Sequence, residues 1–187
     1  SVEPCSMGVD IGGLLDTVIF RQESRGVNRL VFVGKIRNID ELHDLIDRYN
    51  VIKVVLDSMP ETTLVQDFQE NCKVDAWLCR YRGEGGDRLR KYDIGDRIIN
   101  TDRTELLDRS FSQLKQRKVI LPKNFRLILD GQFVSEMTLP VRQIMETERG
   151  SRYEWSKGTD HARHAMSYGF LASQLMLDST IDEISIG

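Results

Sequence analysis

The spacing of apolar and polar residues along the chain predicts a group of strands, followed by strands that alternate with helices. Short apolar runs predict three opening strands, at residues 7–11, 17–21 and 30–36. Gly12-Gly13 and Gly26-Val27-Asn28 are the predicted turns between them. Because these runs follow one another closely, the first part of the chain is predicted to form a meander.

The next segment has the pattern of a helix followed by a buried strand. Asp40 is the predicted N-cap of the helix, whose apolar positions fall at helical spacing: Leu42, Leu45, Ile46 and Tyr49. The nearly unbroken apolar run from Val51 to Leu56 is typical of a strand that is buried on both faces. That strand is predicted to stop at Asp57.

The rest of the chain continues the alternation. A helix is predicted to start near Ser58 to Glu61, which are spaced as in a capping box, and to run to about residue 71. The remaining predicted elements are a strand at 76–81, a hairpin within 82–101, a helix at 105–118, a strand pair at 125–129 and 132–139, a polar loop at 146–158 and a final helix at about 159–177. This order predicts a single α/β domain, with a mixed sheet flanked by helices on both faces.

Composition narrows the class of protein. The chain has 187 residues, of which 40% are hydrophobic and 29% charged, as in ordinary globular domains. The formal net charge of −3 argues against a protein that coats nucleic acid indiscriminately, but it allows one basic face. Three cysteines without metal-ligand spacing are expected to be free thiols in a reducing compartment. No apolar stretch approaches the roughly 20 residues of a membrane-spanning helix, so no membrane partner is expected.

Three aspartates stand where packing alone does not readily explain a carboxylate. Asp10 interrupts the first strand, Asp57 follows the buried strand, and Asp160 falls in the first turn of the last predicted helix. Ligand sites of open α/β sheets gather at the carboxyl ends of strands, where Asp57 is predicted to lie. Each aspartate also has a purely structural interpretation. Asp10 discourages edge pairing, Asp57 is a turn residue, and Asp160 complements the helix dipole.

Taken together, the three aspartates favour a metal site. Carboxylates that converge on one point repel each other, and hard oxygen ligands of this kind suit Mg²⁺ or Mn²⁺. Two such ions about 4 Å apart can activate a water and stabilise the leaving oxygen in phosphodiester hydrolysis. We therefore predict Asp10, Asp57 and Asp160 as catalytic metal ligands. Asp16, six residues after Asp10, is a possible outer ligand.

Histidines beside Asp160 raise a second possibility for a metal. His161 and His164 are three residues apart at helical spacing, which allows a transition-metal site. No further histidine or cysteine obviously completes such a set, so surface or supporting roles are expected for both.

Basic residues supply a candidate DNA-binding surface. One group lies in and around the predicted hairpin, with Tyr81 and Tyr92 interleaved: Arg80, Arg82, Arg88, Arg90, Lys91 and Arg97. A second group has no acid within it: Arg109, Lys115, Arg117, Lys118, Lys123 and Arg126. Phosphate contacts by such residues give salt-sensitive binding. The alternative is a solvated face, because four acidic residues dilute the first group.

The order of these segments resembles the ribonuclease H-like nuclease domain of tailed-phage large terminases, the motors that package DNA. Three stretches carry the resemblance: Gly8-Val9-Asp10-Ile11-Gly12, Val54-Val55-Leu56-Asp57-Ser58-Met59-Pro60-Glu61, and the segment from Thr159 to Tyr168, TDHARHAMSY. They span nearly the whole chain in the family's order.

The resemblance implies a metal-dependent endonuclease that cuts double-stranded, concatemeric viral DNA during genome packaging in the host cytoplasm. Asp10, Asp57 and Asp160 match the family's metal ligands, with Asp16 a possible helper. The family's other half is an ATPase with a phosphate-binding loop, and no G-x-x-x-x-G-K-[ST] pattern occurs here. We therefore expect the nuclease part, residues 1–187, of a longer terminase. Its expected partners are an ATPase domain, the small terminase and the portal.

Three other interpretations remain open at this point. Gly8-Val9-Asp10-Ile11-Gly12-Gly13 also suggests an actin-like ATPase or sugar kinase, although Asp130-Gly131-Gln132-Phe133 does not fit that class's second phosphate loop. A junction-resolving nuclease of the same fold would prefer four-way junctions to linear duplex. A non-catalytic docking module would use the acidic cluster to bind a structural ion.

Overall fold

The structure, a computed structural model, describes residues 3–24, 26–82, 90–148 and 150–185. Eight strands form one mixed sheet, in the order β6-β7-β5-β4-β1-β2-β3-β8, and two more form a separate hairpin. The strands are β1 (Cys5–Ile11), β2 (Leu15–Ser24), β3 (Val27–Ile36), β4 (Val51–Asp57), β5 (Asp75–Tyr81), β6 (Lys91–Asp93), β7 (Ile98–Thr101), β8 (Val119–Ile120), β9 (Arg142–Thr147) and β10 (Gly150–Trp155). The α-helices are α1 (Ile39–Arg48), α2 (Thr62–Asn71), α3 (Arg103–Lys115), α4 (Gln132–Thr138) and α5 (His161–Ser185).

The predicted meander and the predicted alternation are both present. Strands β1, β2 and β3 pair antiparallel, joined by short turns. Strands β1, β4, β5 and β7 then run parallel to one another, with β6 added antiparallel at the edge. The sheet is therefore mixed, as the sequence predicts.

Helices cover both faces of the sheet. On one face, strand residues such as Val9 and Leu56 pack with Leu42 of α1 and Val65 of α2. On the other face, α5 runs across the middle of the sheet, with α3 and α4 beside it. None of the helices in the described part of the chain is both long and apolar enough to cross a membrane.

Two glycines allow α5 to lie directly on the sheet. A Cβ added at Gly8 of β1 would come within 2.1 Å of the backbone nitrogen of Gly169 and 2.2 Å of the carbonyl oxygen of Ala165. A Cβ added at Gly169 would meet Phe20 at 2.8 Å. The helix and β1 thus touch backbone to backbone, which fixes where the N-terminal end of α5 lies relative to the end of β1.

The predicted strand pair at 125–129 and 132–139 is wrong. Residues 125–131 form irregular 3-10 turns with positive φ at Leu129, Asp130 and Gly131, and α4 follows. The buried residues of α4 are Phe133 and Glu136, spaced three apart as on one face of a helix. Asp130-Gly131 does form a turn, but the turn leads into a helix.

Other element boundaries also differ from the prediction. The predicted loop at 146–158 is largely the hairpin β9–β10, whose polar strands give a weak signal in the sequence. Helix α1 is capped by Asn38, whose Oδ1 accepts the Glu41 N–H, and not by Asp40. Helix α2 begins at Thr62 rather than near Ser58. The predicted hairpin is present as β6–β7, and residues 83–89 of the same segment lie outside the described residues.

Candidate active site

Parallel pairing of β1 and β4 puts Asp10 and Asp57 side by side. Val9 pairs with Leu56, and both strands run in the same direction, so the next residue of each is an aspartate at the same edge of the sheet. Val9 and Leu56 face α1 and α2. Because side chains alternate along a strand, Asp10 and Asp57 face the α5 side.

Helix α5 brings the third aspartate to the same place. Asp160 immediately precedes the helix, and its carbonyl oxygen accepts the N–H of His164 at 3.1 Å. Asp10, Asp57 and Asp160 line one open cavity of about 360 Å³. The other residues that line it are Ile11, Met59, Pro60, Tyr81, Arg103, Lys157, Gly158, His161 and His164. Residues that are far apart in sequence thus share one cleft at the carboxyl ends of the strands.

The environment of Asp57 opposes its negative charge. Burial, and after it the negative charge of Asp10, raise the pKa of Asp57 to about 6. A hydrogen bond from the backbone N–H of Met59, at 3.1 Å, acts in the opposite direction. The Asp10 and Asp57 carboxylates therefore repel each other, and a cation between them would relieve this repulsion.

A chain of hydrogen bonds holds Asp160. His164 Nε2 lies 3.3 Å from its Oδ2, and Arg103 donates to the same oxygen at 2.6 Å. Because a carboxylate only accepts, His164 donates to Asp160 through Nε2, and its Nδ1 lies 2.6 Å from the Tyr81 hydroxyl oxygen. Burial raises the pKa of Asp160, but His164 and Arg103 outweigh it and hold that pKa below its ordinary value.

Asp10 has a histidine partner. His161 Nδ1 lies 2.7 Å from Asp10 Oδ2, and this hydrogen bond raises the pKa of His161 to about 9. His161 is therefore an imidazolium at neutral pH and balances part of the charge of Asp10. Each of the two histidines thus contacts one of the predicted aspartates, and their supporting role stays a prediction.

Asp16 lies opposite Asp10 across the β1–β2 pair, but it is not among the residues that line the cavity. Lys35 Nζ contacts its carboxylate at 2.6 Å and also reaches Glu136 at 3.4 Å. Glu136 in turn accepts the backbone N–H of Ala162, in the first turn of α5, at 2.7 Å. This ion network links Asp16 to the start of α5.

Two of the three predicted carboxylate ligands, those of Asp10 and Asp57, are placed to bind a hard divalent cation together. Asp10 and Asp57 are neighbours, and burial together with the charge of Asp10 raises the pKa of Asp57. Carboxylate oxygens are the ligands that Mg²⁺ and Mn²⁺ prefer. Asp160 faces the same cavity while Arg103 and His164 hold its carboxylate. Within the described ranges, no three or more His, Cys, Asp or Glu side chains are grouped closely enough to hold a metal ion. Asp160 would have to turn from Arg103 to complete such a group.

The predicted DNA-binding residues differ in their surroundings. Arg80 and Lys91 are exposed. Arg82 donates to the carbonyl of Asn100 at 3.3 Å. The Arg90 side chain is only 8% exposed and contacts Gln174 at 3.1 Å and Glu105 at 3.7 Å. Arg88 lies outside the described residues.

Two positively charged side chains that line the cavity were not among the site residues predicted from the sequence. Arg103 opens α3, and Lys157 lies in the segment between β10 and α5. Neither stands in a motif, and Arg103 meets Asp160 only through the fold. Lys157 is three residues from Asp160 in the sequence, and that proximity was an available signal.

No protein-family model matches the sequence, and no curated protein sequence is similar to it. The structure is similar to the large terminase nuclease from thermophilic phage G20c, with a TM-score of 0.56 and 11% identity over 89% of this chain and 80% of that one. The chain has a ribonuclease H-like fold. This confirms the fold class predicted from the sequence. The mitochondrial Holliday junction resolvase of yeast also matches, with a TM-score of 0.45 and 8% identity over 96% of this chain and 85% of that one.

Proposed function

We propose that this chain is a divalent-metal-dependent endonuclease that hydrolyses phosphodiester bonds of double-stranded DNA. The observation that carries the proposal is the meeting of Asp10 and Asp57 at neighbouring strand ends, with Asp160 on the wall of the same cavity. Buried carboxylates that repel each other are costly to the fold. An acidic cleft of this kind is better explained by a cation-dependent function than by packing.

Asp10, Asp57 and Asp160 would hold Mg²⁺ or Mn²⁺, with room in the cavity for two ions. When bound, such ions supply an activated water and neutralise the charge that develops on the leaving oxygen. Asp16 belongs to the ion network of α5 and acts on the site through the position of that helix.

The chain's own cations prepare the cavity for a phosphate. Arg103, Lys157 and the His161 imidazolium stand on its wall beside the carboxylates. They attract the phosphate backbone and offset the repulsion between DNA and the acidic cleft. Tyr81 and His164 orient Asp160 by hydrogen bonding, which keeps its carboxylate on the cavity side.

We place the activity in viral genome packaging. The support is the likeness of the fold to a phage large terminase nuclease. In this proposal the substrate is concatemeric viral DNA in the host cytoplasm, and an ATPase domain, the small terminase and the portal hold the DNA. The isolated chain then binds DNA weakly, in keeping with its net charge of −3.

Cleavage of supercoiled plasmid tests the proposal. The chain is expected to nick and linearise plasmid with Mn²⁺ or Mg²⁺, and to lose this activity with a chelator or with Asp57→Asn. Asp44→Asn, which changes an exposed carboxylate of α1, is the matched control and keeps full activity. Cleavage that continues in the chelator, or at the parent rate in Asp57→Asn, would refute the proposal.

A further inference from the structure

Arg103 is placed to contact two different partners. Its guanidinium donates to Asp160 Oδ2 at 2.6 Å and to the carbonyl oxygen of Trp155 at 3.1 Å. The side chain is 24% exposed and lines the cavity that the three aspartates share. A guanidinium has five N–H donors, and these two contacts use two of them.

Arg103 and a divalent ion compete for the same carboxylate. An ion bound by Asp160 would stand next to a guanidinium that now contacts that carboxylate at 2.6 Å. Two cations that share one carboxylate repel each other in a partly buried cleft. An ion at Asp160 would therefore weaken the hold of that carboxylate on Arg103.

A phosphodiester offers the released guanidinium a partner in the same cavity. Its two non-bridging oxygens match the planar fork of arginine, which binds phosphates with two parallel hydrogen bonds. The Trp155 carbonyl keeps the guanidinium at the cavity wall while its other donors change partner.

We propose that Arg103 is a phosphate-binding residue that exchanges Asp160 for a phosphodiester of the DNA when a divalent ion binds. This inference rests on the proposed function and adds that ion binding and DNA binding are coupled. Each ligand favours the state that the other needs, so the ion strengthens DNA binding and DNA strengthens ion binding by the same factor. In the absence of both, the Asp160 carboxylate stays paired with Arg103.

If Arg103 exchanges partners in this way, Arg103→Gln should raise the affinity for the ion and lower the affinity for DNA. Arg103→Gln removes the competitor for Asp160, so Mn²⁺ or Ca²⁺ binds the DNA-free protein several-fold more tightly. The same variant binds duplex DNA in Ca²⁺ roughly tenfold more weakly, since it loses a charge-assisted hydrogen bond. The salt dependence of DNA binding falls by about one phosphate contact.

Calorimetry of ion binding and fluorescence anisotropy of a short labelled duplex measure these affinities without any turnover. Arg21→Gln is the matched control, because Arg21 is also ion-paired, with Glu23 at 2.9 Å, but lies at the other end of the β1–β2 pair. Arg103→Lys keeps the charge without the fork. It is expected to bind the ion like the parent and DNA with intermediate affinity.

Asp160→Asn provides an independent test in a chelator. It weakens the hold on Arg103, so metal-free DNA binding becomes several-fold tighter than in the parent chain. Adding Arg103→Gln to this variant removes the gain in DNA affinity.

The inference is overturned if Arg103→Gln weakens ion and DNA binding together, as a merely structural role would, or if it leaves DNA affinity unchanged. A parent chain that binds no divalent ion would instead refute the proposed function, and the exchange with it.

Discussion

His161 Nδ1 lies 2.7 Å from Asp10 Oδ2, and this contact joins the first residue of α5 to the strand that carries the first predicted metal ligand. Asp10 thus pairs directly with an imidazolium, whereas Asp57, its neighbour on β4, accepts the backbone N–H of Met59 at 3.1 Å. The two carboxylates of the pair are therefore not equivalent, and they are expected to respond differently to pH and to substitution.

The histidine contact predicts how Mg²⁺ affinity depends on pH. With a pKa of about 9, His161 stays charged at neutral pH and opposes a cation at Asp10. Mg²⁺ affinity, measured by calorimetry, is expected to rise between pH 7 and 9 as His161 loses its proton. His161→Gln should bind Mg²⁺ more tightly at pH 7 and show little of this rise. His43→Gln, on α1, is the control, and equal pH profiles for both variants would contradict the account.

The same contact contributes to folding. The folded pKa of His161 is above its ordinary value of 6.5, so its stabilising effect is complete below about pH 6.5 and is lost as pH rises through about 9. Without divalent ions, the difference in melting temperature between the parent and His161→Gln should shrink from pH 6.5 to pH 9. A constant difference over this range would mean that the pair is not ionised as described.

Ionised Asp57 is expected to destabilise the fold, whereas a carboxylate that is paired with a cation stabilises it. Its folded pKa of about 6 is above the ordinary value of 3.8, so the folded chain holds this proton more tightly than the unfolded one. The destabilisation is absent at pH 3.5 and complete above about pH 6.5. Asp57→Asn should therefore raise the melting temperature of the metal-free protein at pH 7.5 and change it little at pH 3.5. A lower melting temperature at pH 7.5 would contradict this.

The contact between β1 and α5 predicts a large steric effect. Gly8→Ala puts a Cβ against backbone atoms of α5, which cannot swing away as a side chain does. We expect the free energy of unfolding to fall by about 3 kcal/mol or more, at the upper end of overpacking effects. Gly13→Ala is the control, because its Cβ would meet nothing within 4 Å. Denaturant unfolding of both variants measures the difference, and equal stabilities would show that the helix does not lie this close.

Some of the basic residues are expected to bind DNA, and others to stabilise the fold. Arg80 and Lys157 are exposed near the strand ends, so Arg80→Ala and Lys157→Ala should each weaken DNA binding and lower its salt slope by about one. Arg90→Ala should instead lower thermal stability, since its side chain is mostly buried among internal partners. Arg48→Ala, on α1, is the control for DNA binding. A loss of DNA affinity in Arg90→Ala without loss of stability would reverse the assignment.

The sequence predicted the parts of the fold that local pattern controls. The runs of β1 to β4 were visible because apolar residues dominate them, and Asp10 and Asp57 were conspicuous as charges at their ends. The hairpin β9–β10 was missed because its strands are mostly polar. Helix α4 was missed because a helix of seven residues, about two turns, leaves a short pattern. Arg103 could not be found in this way, since its contact with Asp160 joins residues 57 positions apart.

Anomalous diffraction from crystals grown with Mn²⁺ tests the central claim most directly, because it locates the ion itself. We expect an anomalous peak about 2 Å from carboxylate oxygens of both Asp10 and Asp57, with Asp160 turned towards the ion and away from Arg103. The same peak should vanish in Asp57→Asn crystals. A Mn²⁺-soaked crystal with no peak at this pair, while Asp160 still contacts Arg103, would contradict it.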